Sequence, residues 1–209
     1  MNSREEFLLK MYDQMFNDIN RHIMVVWQSI GVLIGAFAIF ALVEKNVLSL
    51  DLAASIILLL TAWLVAHLFD AAYWYNRNLA IIANIERQFL LDSDLKDIHY
   101  YFGSHRQNNK MIEHLRIQLA LGVALGLVVL LYHFLDRVMP GLSESFSQFE
   151  PIRALPYLLV ISAIIFLLKM KKDAAEKYQE FIRNSPGKIV DTNGIHYGKG
   201  HGHDSPHSS

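Results

Sequence analysis

Four stretches of the chain are apolar almost without interruption: Ile23–Val43, Leu52–Phe69, Leu115–Leu135 and Ala154–Met170. Each is close to the ~20 residues a helix needs to cross ~30 Å of hydrocarbon. The first two contain no charged residue. The third carries Arg116 in its first turn, where a long side chain can reach a headgroup. Pro156 lies near the start of the fourth, where early helical N–H groups have no partner to lose. The pattern predicts an all-α polytopic membrane protein, with four transmembrane helices in two hairpins over residues 23–70 and 113–170.

The polar segments keep a helical period. Ser3 and Glu6 have the spacing of a capping box, and Phe7, Leu8, Met11, Met15, Ile19 and Ile23 recur on one face. No Gly or Pro occurs between Leu52 and Leu91, so the second span is predicted to continue beyond its apolar part. There Leu79, Ile82, Ile85 and Phe89 form a second stripe, with Glu86 beside it. After the fourth span, "KKDAAEKYQEFIRN" is helical until Ser185-Pro186-Gly187. The predicted organisation is an amphipathic helix at 1–22, a helix and loop at 71–112, a helix at 171–185 and a disordered His/Gly tail at 186–209. The three helical extensions are expected to pack as a small cytoplasmic bundle. A stripe that docks a partner protein or a neighbouring subunit is the alternative.

Charge sets the orientation. Of 19 Lys and Arg residues, only Lys45, Arg137 and Arg153 fall in the two short connections. The other sixteen flank the N-terminal segment, the middle connection and the tail. Both termini and the middle connection are therefore expected in the cytoplasm. Tyr73, Trp74 and Tyr75 then fall at the headgroup level where the second span ends. His67 with Asp70, and Asp70 with Arg77 across two turns, are candidate groups coupling the membrane to the cytoplasmic helices. His133, near the far end of the third span, is expected at the opposite interface.

Composition narrows the function. The 209 residues are 53% hydrophobic and 19% charged, more apolar and less charged than a soluble domain at ~45–50% and ~25%. A net charge of −1 offers no field for direct nucleic-acid binding. With no cysteine, disulfides and thiolate chemistry are excluded. The polar, acid-led N-terminus does not resemble a cleaved signal peptide. No phosphate-binding glycine loop, H-E-x-x-H or nucleophile elbow occurs, so neither an enzyme nor a cofactor is expected. Of ten histidines, His196, His201, His203 and His207 lie in the tail. His201 and His203 are weak metal candidates in a segment without apolar anchors, and no formed metal site is expected.

The two hairpins share a pattern. "QSIGVLIG" (28–35) with "DAAYWY" (70–75) parallels "QLALGVALG" (118–126) with "DAAEKY" (173–178), which raises the possibility of an internal duplication. Gly31 and Gly35, and Gly122 and Gly126, have the small-xxx-small spacing that lets helices approach closely in lipid. Gln28 and Gln118 share those faces and seek a hydrogen bond between helices. These six residues are candidate packing or pore seams, serving either the internal packing of the spans or self-association.

Across residues 1–90 the architecture resembles the small transmembrane effectors of bacterial antiphage defence loci. These include the SLATT-type two-span proteins and the membrane components of some retrons. The residues carrying the resemblance are Arg21, Gly31, Gly35, Trp74 and Arg77; the second hairpin departs from a two-span plan. The resemblance implies an oligomerising effector of the bacterial inner membrane, held by a soluble sensor protein or ribonucleoprotein, that compromises the bilayer when triggered. A membrane scaffold anchoring a soluble partner, and a small cation transporter using His67, Asp70 and the tail, are the alternatives.

Overall fold

The computed structural model describes residues 3–91, 93–94, 108–143 and 150–184, and every regular element among them is helical. Helix α1 is Ser3–Ala36, α2 Ile39–Glu44, α3 Leu50–Glu86, α4 Glu113–His133 and α5 Leu155–Asn184. A π-helical turn at Phe134–Val138 extends α4, and a 3₁₀ turn at Pro151–Ala154 leads into α5. Four helical stretches, Ser3–Glu44, Leu50–Glu86, Glu113–Val138 and Pro151–Asn184, are long and apolar enough to cross a membrane.

The first predicted span is two helices. Just past Gly35, the N–H groups of Phe37 and Ala38 bond to the carbonyls of Ile34 and Gly35 at 3.2 and 3.0 Å. That is the tighter i→i−3 pattern, and it follows residues with low helix propensity. Helix α2 then closes in a Schellman motif: Asn46 N–H donates to Val43 O and Val47 N–H to Leu42 O, each at 2.9 Å. Asn46 supplies the left-handed residue the motif needs, at φ 55°. Three residues on, the Ser49 hydroxyl accepts from Leu52 N–H at 3.3 Å and caps α3. Helix α3 stops at Glu86, short of the predicted Leu91, while α5 continues through the predicted extension to Asn184.

The chain divides into two compact units. The first comprises Ile23–Ala72 and Met111–Ala174. Its core takes Val26, Ile30 and Leu33 from α1, Ile57, Leu64 and Leu68 from α3, and Leu115 and Val129 from α4. Half of the most apolar stretch of α3 is buried, against 6% of that of α5. Leu158, Ile161, Ile164, Ile165, Phe166 and Leu168 of α5 are each at least half exposed. Removing such a side chain from water is worth ~1.5–3 kcal/mol when complete, so these six together approach ~10 kcal/mol, the scale of a whole domain's stability.

The second unit comprises the described residues of Met1–His22, Tyr73–Lys110 and Ala175–Ser209. Ile19 of α1, Leu79, Ile82 and Ile85 of α3, and Tyr178 of α5 are buried. The two predicted stripes face inward except at their ends, since Phe7 and Phe89 are exposed and Phe89 lies past the helix. Tyr12 donates to the Glu86 carboxylate at 3.2 Å, and Asn76 Nδ2 donates to Asn109 Oδ1 and Lys110 O at 2.9 Å.

Asn46→Val is expected to lower stability by about 1–2 kcal/mol in thermal unfolding, because a β-branched residue resists the left-handed conformation, whereas Asn46→Gly is expected to be neutral. Equal stability of the two variants would contradict the turn.

Candidate functional site

The six seam residues do not behave alike. In the first unit, an added Cβ at Gly122 would lie 3.0 Å from Leu64 Cδ2, and one at Gly126 would lie 3.2 Å from Thr61 Cγ2. These glycines let α4 close onto α3, the use that small residues serve between helices. Gln118 is buried beside them, yet its Nε2 meets His114 Nε2 of its own helix at 2.9 Å, and its Oε1 has no partner among the described residues. The expected bond between helices is therefore not made by this amide. Gly31 and Gly35 present the opposite case. No described residue outside the helix's own backbone lies within 4 Å of a Cβ added at either position, and Gln28 is exposed on the same face.

The coupling residues also separate. The His67 ring meets Trp63 edge-on at 4.7 Å, and no bond joins it to Asp70 among the described residues. In the second unit, the Arg77 guanidinium lies over Trp74, with Cζ 5.1 Å from the ring centroid, and over Phe181 at 5.5 Å. Its Nη1 donates to Asn78 Oδ1 at 3.3 Å. Lys177 Nζ sits 4.8 Å above the buried Tyr73 ring, whose centroid is 5.4 Å from that of Trp74. The His22 ring stacks on Trp74 at 5.7 Å and an interplanar angle of 9°. Trp74 thus contacts both a histidine ring and an arginine guanidinium.

A third cluster, in the first unit, joins residues that the sequence presents only as flanking charges. Asp51, in the first turn of α3, is 1% exposed, and His133 at the end of α4 is fully buried. His133 Nε2 lies 2.9 Å from Asp51 Oδ1, and its Nδ1 lies 3.1 Å from the Tyr157 hydroxyl of α5. A carboxylate only accepts, so in the neutral ring Nε2–H donates to Asp51 and Nδ1 accepts from Tyr157. The π-helical turn carries Arg137 to the other side of the same carboxylate, with Nη2 3.0 Å from Asp51 Oδ2 and 2.9 Å from Glu150 Oε2. Arg153 completes the set, donating through Nε to Glu150 at 3.1 Å and through Nη1 to the Arg137 carbonyl at 3.2 Å.

Asp51 and Glu150 face Arg137 and Arg153 in this cluster, two acids against two arginines. The hydrogen bond from Arg153, with Arg137 adding to it, holds the exposed Glu150 carboxyl below its ordinary range. That contribution is present above the usual glutamate range and fades as pH falls through the lowered value. The arrangement ties the start of α3 to the end of α4 and the start of α5. By sequence, His133 is expected only at an interface, and neither Asp51 nor Tyr157 carries a motif. The available signal was positional: the predicted hairpins would put the start of the second apolar run and the end of the third on the same side, and the Asp51–His133 contact has that pairing.

Among the described residues no group of three His, Asp or Glu side chains could hold a metal, and His201 and His203 lie outside them. Comparison with family models, with curated proteins and with solved structures found no match to this chain.

Asp51→Asn strands Arg137 and His133 beside a neutral amide, and is expected to cost about 3 kcal/mol, or roughly 6–12 °C in apparent Tm followed by circular dichroism in detergent. An unchanged Tm would show that the cluster does not hold the helix ends.

Proposed function

We propose that this chain is a multi-pass protein of a bacterial inner membrane that self-associates through α1. Its four spans form two hairpins, with both termini and the middle connection in the cytoplasm, a reading supported by the sixteen of 19 Lys and Arg residues outside the two short connections. The observation that carries the reading is the open face of α1. Gln28, Gly31 and Gly35 lie exposed on an apolar helix, and a Cβ added at either glycine would meet no other described element within 4 Å, while the matching glycines of α4 are already in use against α3. In lipid, small residues let a second backbone approach, and an amide without a partner gains ~0.6–2 kcal/mol from a hydrogen bond across a helix pair. A second copy of α1 offers both.

Self-association of this kind suits an effector more than a constitutive channel. The apolar face of α5 supplies no polar lining, so damage to the bilayer would follow assembly. The resemblance of residues 1–90 to defence effectors supplies the biological setting: a soluble sensor or ribonucleoprotein restrains the protein, and its release permits assembly and depolarisation. A non-enzymatic role follows from the same reading.

A scaffold is the second reading, favoured by an apolar groove of about 410 Å³ in the second unit, lined by Leu8, Met11, Ile81, Ile85 and Phe181. A soluble partner seated there would be anchored without depolarisation. Cation transport through His67 and Asp70 draws no support from their geometry.

Gly35→Leu is expected to abolish oligomers in crosslinking and depolarisation on induction, with insertion and Tm unchanged, because open space receives the new side chain. Gly126→Leu collides with Thr61 and Leu58 and is expected to lower Tm instead. Depolarisation that survives Gly35→Leu at normal expression would reject the α1 interface.

A further inference from the structure

Arg77 and Lys177 stand out among the charged side chains of the second unit. Each is held over an aromatic ring, and neither is paired with a carboxylate among the described residues. A contact with a ring face leaves the N–H groups of the cation unspent. The Arg77 guanidinium rests on Trp74 and Phe181 and gives one N–H to Asn78, so its plane is fixed while its other donors remain in that plane. Lys177 keeps three donors above Tyr73. The two cations thus sit on two adjoining rings, contributed by one stretch of α3.

Position along the helices points to the same chemistry. Arg77 lies two turns past Phe69, where the apolar run of α3 ends, and Lys177 lies two turns past Met170 of α5. Helical side chains lean toward the N-terminus of their own helix, which for both residues is the direction of the apolar run. The contact of Arg77 with Trp74, three residues earlier, follows that lean. Two fixed cations beside Trp and Tyr at the end of an apolar span match the phosphate region of a bilayer. A zwitterionic lipid offers its phosphate together with its own ammonium group, which two adjacent cations repel; an anionic lipid offers a net negative charge.

We propose that Arg77 and Lys177, positioned by Trp74, Phe181 and Tyr73, bind the phosphate of an anionic phospholipid headgroup. The proposal rests on the membrane reading given above. It places a lipid-dependent contact at the residues that join α3 to α5, so loss of that lipid would loosen the two helices in the second unit.

Lipids retained by the full-length protein, purified from micelles supplied with equal phosphatidylglycerol and phosphatidylcholine, can be counted by mass spectrometry. The wild-type protein is expected to enrich phosphatidylglycerol, and Lys177→Gln or Arg77→Gln to reduce the enrichment by roughly 5-fold each at low salt. Lys177 is exposed, so its variant leaves the packing intact. Lys10→Gln removes the same charge from an exposed pair with Glu6 and is expected to change nothing. Enrichment that persists in the Arg77→Gln/Lys177→Gln double variant, or that falls equally in Lys10→Gln, would overturn the site. Displacement by excess inorganic phosphate, but not by chloride at the same ionic strength, would assign it to a soluble phosphate and overturn the lipid assignment. Release of the protein by alkaline carbonate would instead overturn the membrane reading beneath it.

Discussion

An outward-facing apolar surface runs along each long helix, and few interior positions exist to receive it. In α5 the imbalance is greatest: Ile161, Ile164, Ile165, Phe166 and Leu168 point away from the rest of the first unit, at a cost in water no small core could offset. A medium without water changes the sign of that term and imposes another. Backbone groups must then be satisfied within each element, which a helix does and an irregular segment does not. In the first unit the break after Gly35 is accordingly bridged by i→i−3 bonds, and the turn between α2 and α3 is satisfied locally by the Schellman motif at Asn46 and the Ser49 cap.

The same constraint governs the polar side chains. Asp51 and His133 are buried, and each finds partners: Arg137 pairs with the Asp51 carboxylate and Tyr157 with the His133 ring. Burying such a pair rarely adds stability over an apolar alternative, but breaking it is expensive, so the cluster selects one register of helix ends over its neighbours. Serine and threonine within the spans take the cheaper route. Ser29, Ser55 and Thr61 return their hydroxyls to the carbonyl four residues earlier. Gln28 has no such option on its exposed face, which is why the proposed interface falls there. The proposed pairing with a second α1 and the proposed retention of an anionic lipid answer one circumstance: polar groups on apolar helices that the described residues satisfy only in part.

Helical identity and the number of helices long and apolar enough to cross a membrane were legible from hydrophobic runs because four long apolar stretches leave little room for another element. The amphipathic faces of residues 8–19 and 79–85 were legible from their period, and the stripes are exposed at Phe7 and Phe89, where no described helix covers their ends. The break after Gly35 and the end of α3 at Glu86 were not, since nothing in composition separates a tightened turn from a continuous helix. For the seams, spacing alone could not distinguish Gly31 and Gly35 from Gly122 and Gly126. Their difference is tertiary, set by whether Leu58, Thr61 and Leu64 stand opposite. The Asp51 cluster was hidden for a related reason: its members are 82 and 86 residues apart, and only the fold brings them to 3 Å.

Membrane crossing with both termini inside is the claim on which every other one depends, and the absence of native cysteine makes it directly measurable. Single cysteines at Val47, Met139 and Ser93 can be probed in intact cells with a maleimide that does not cross lipid. Val47 and Met139 are exposed in the structure and belong to the outer connections in this account. They should label at once, whereas Ser93→Cys should label only after the membrane is permeabilised. Labelling of Ser93→Cys in intact cells, with Val47→Cys protected, would invert the topology, and equal labelling of all three in a detergent-free soluble fraction would contradict the account entirely.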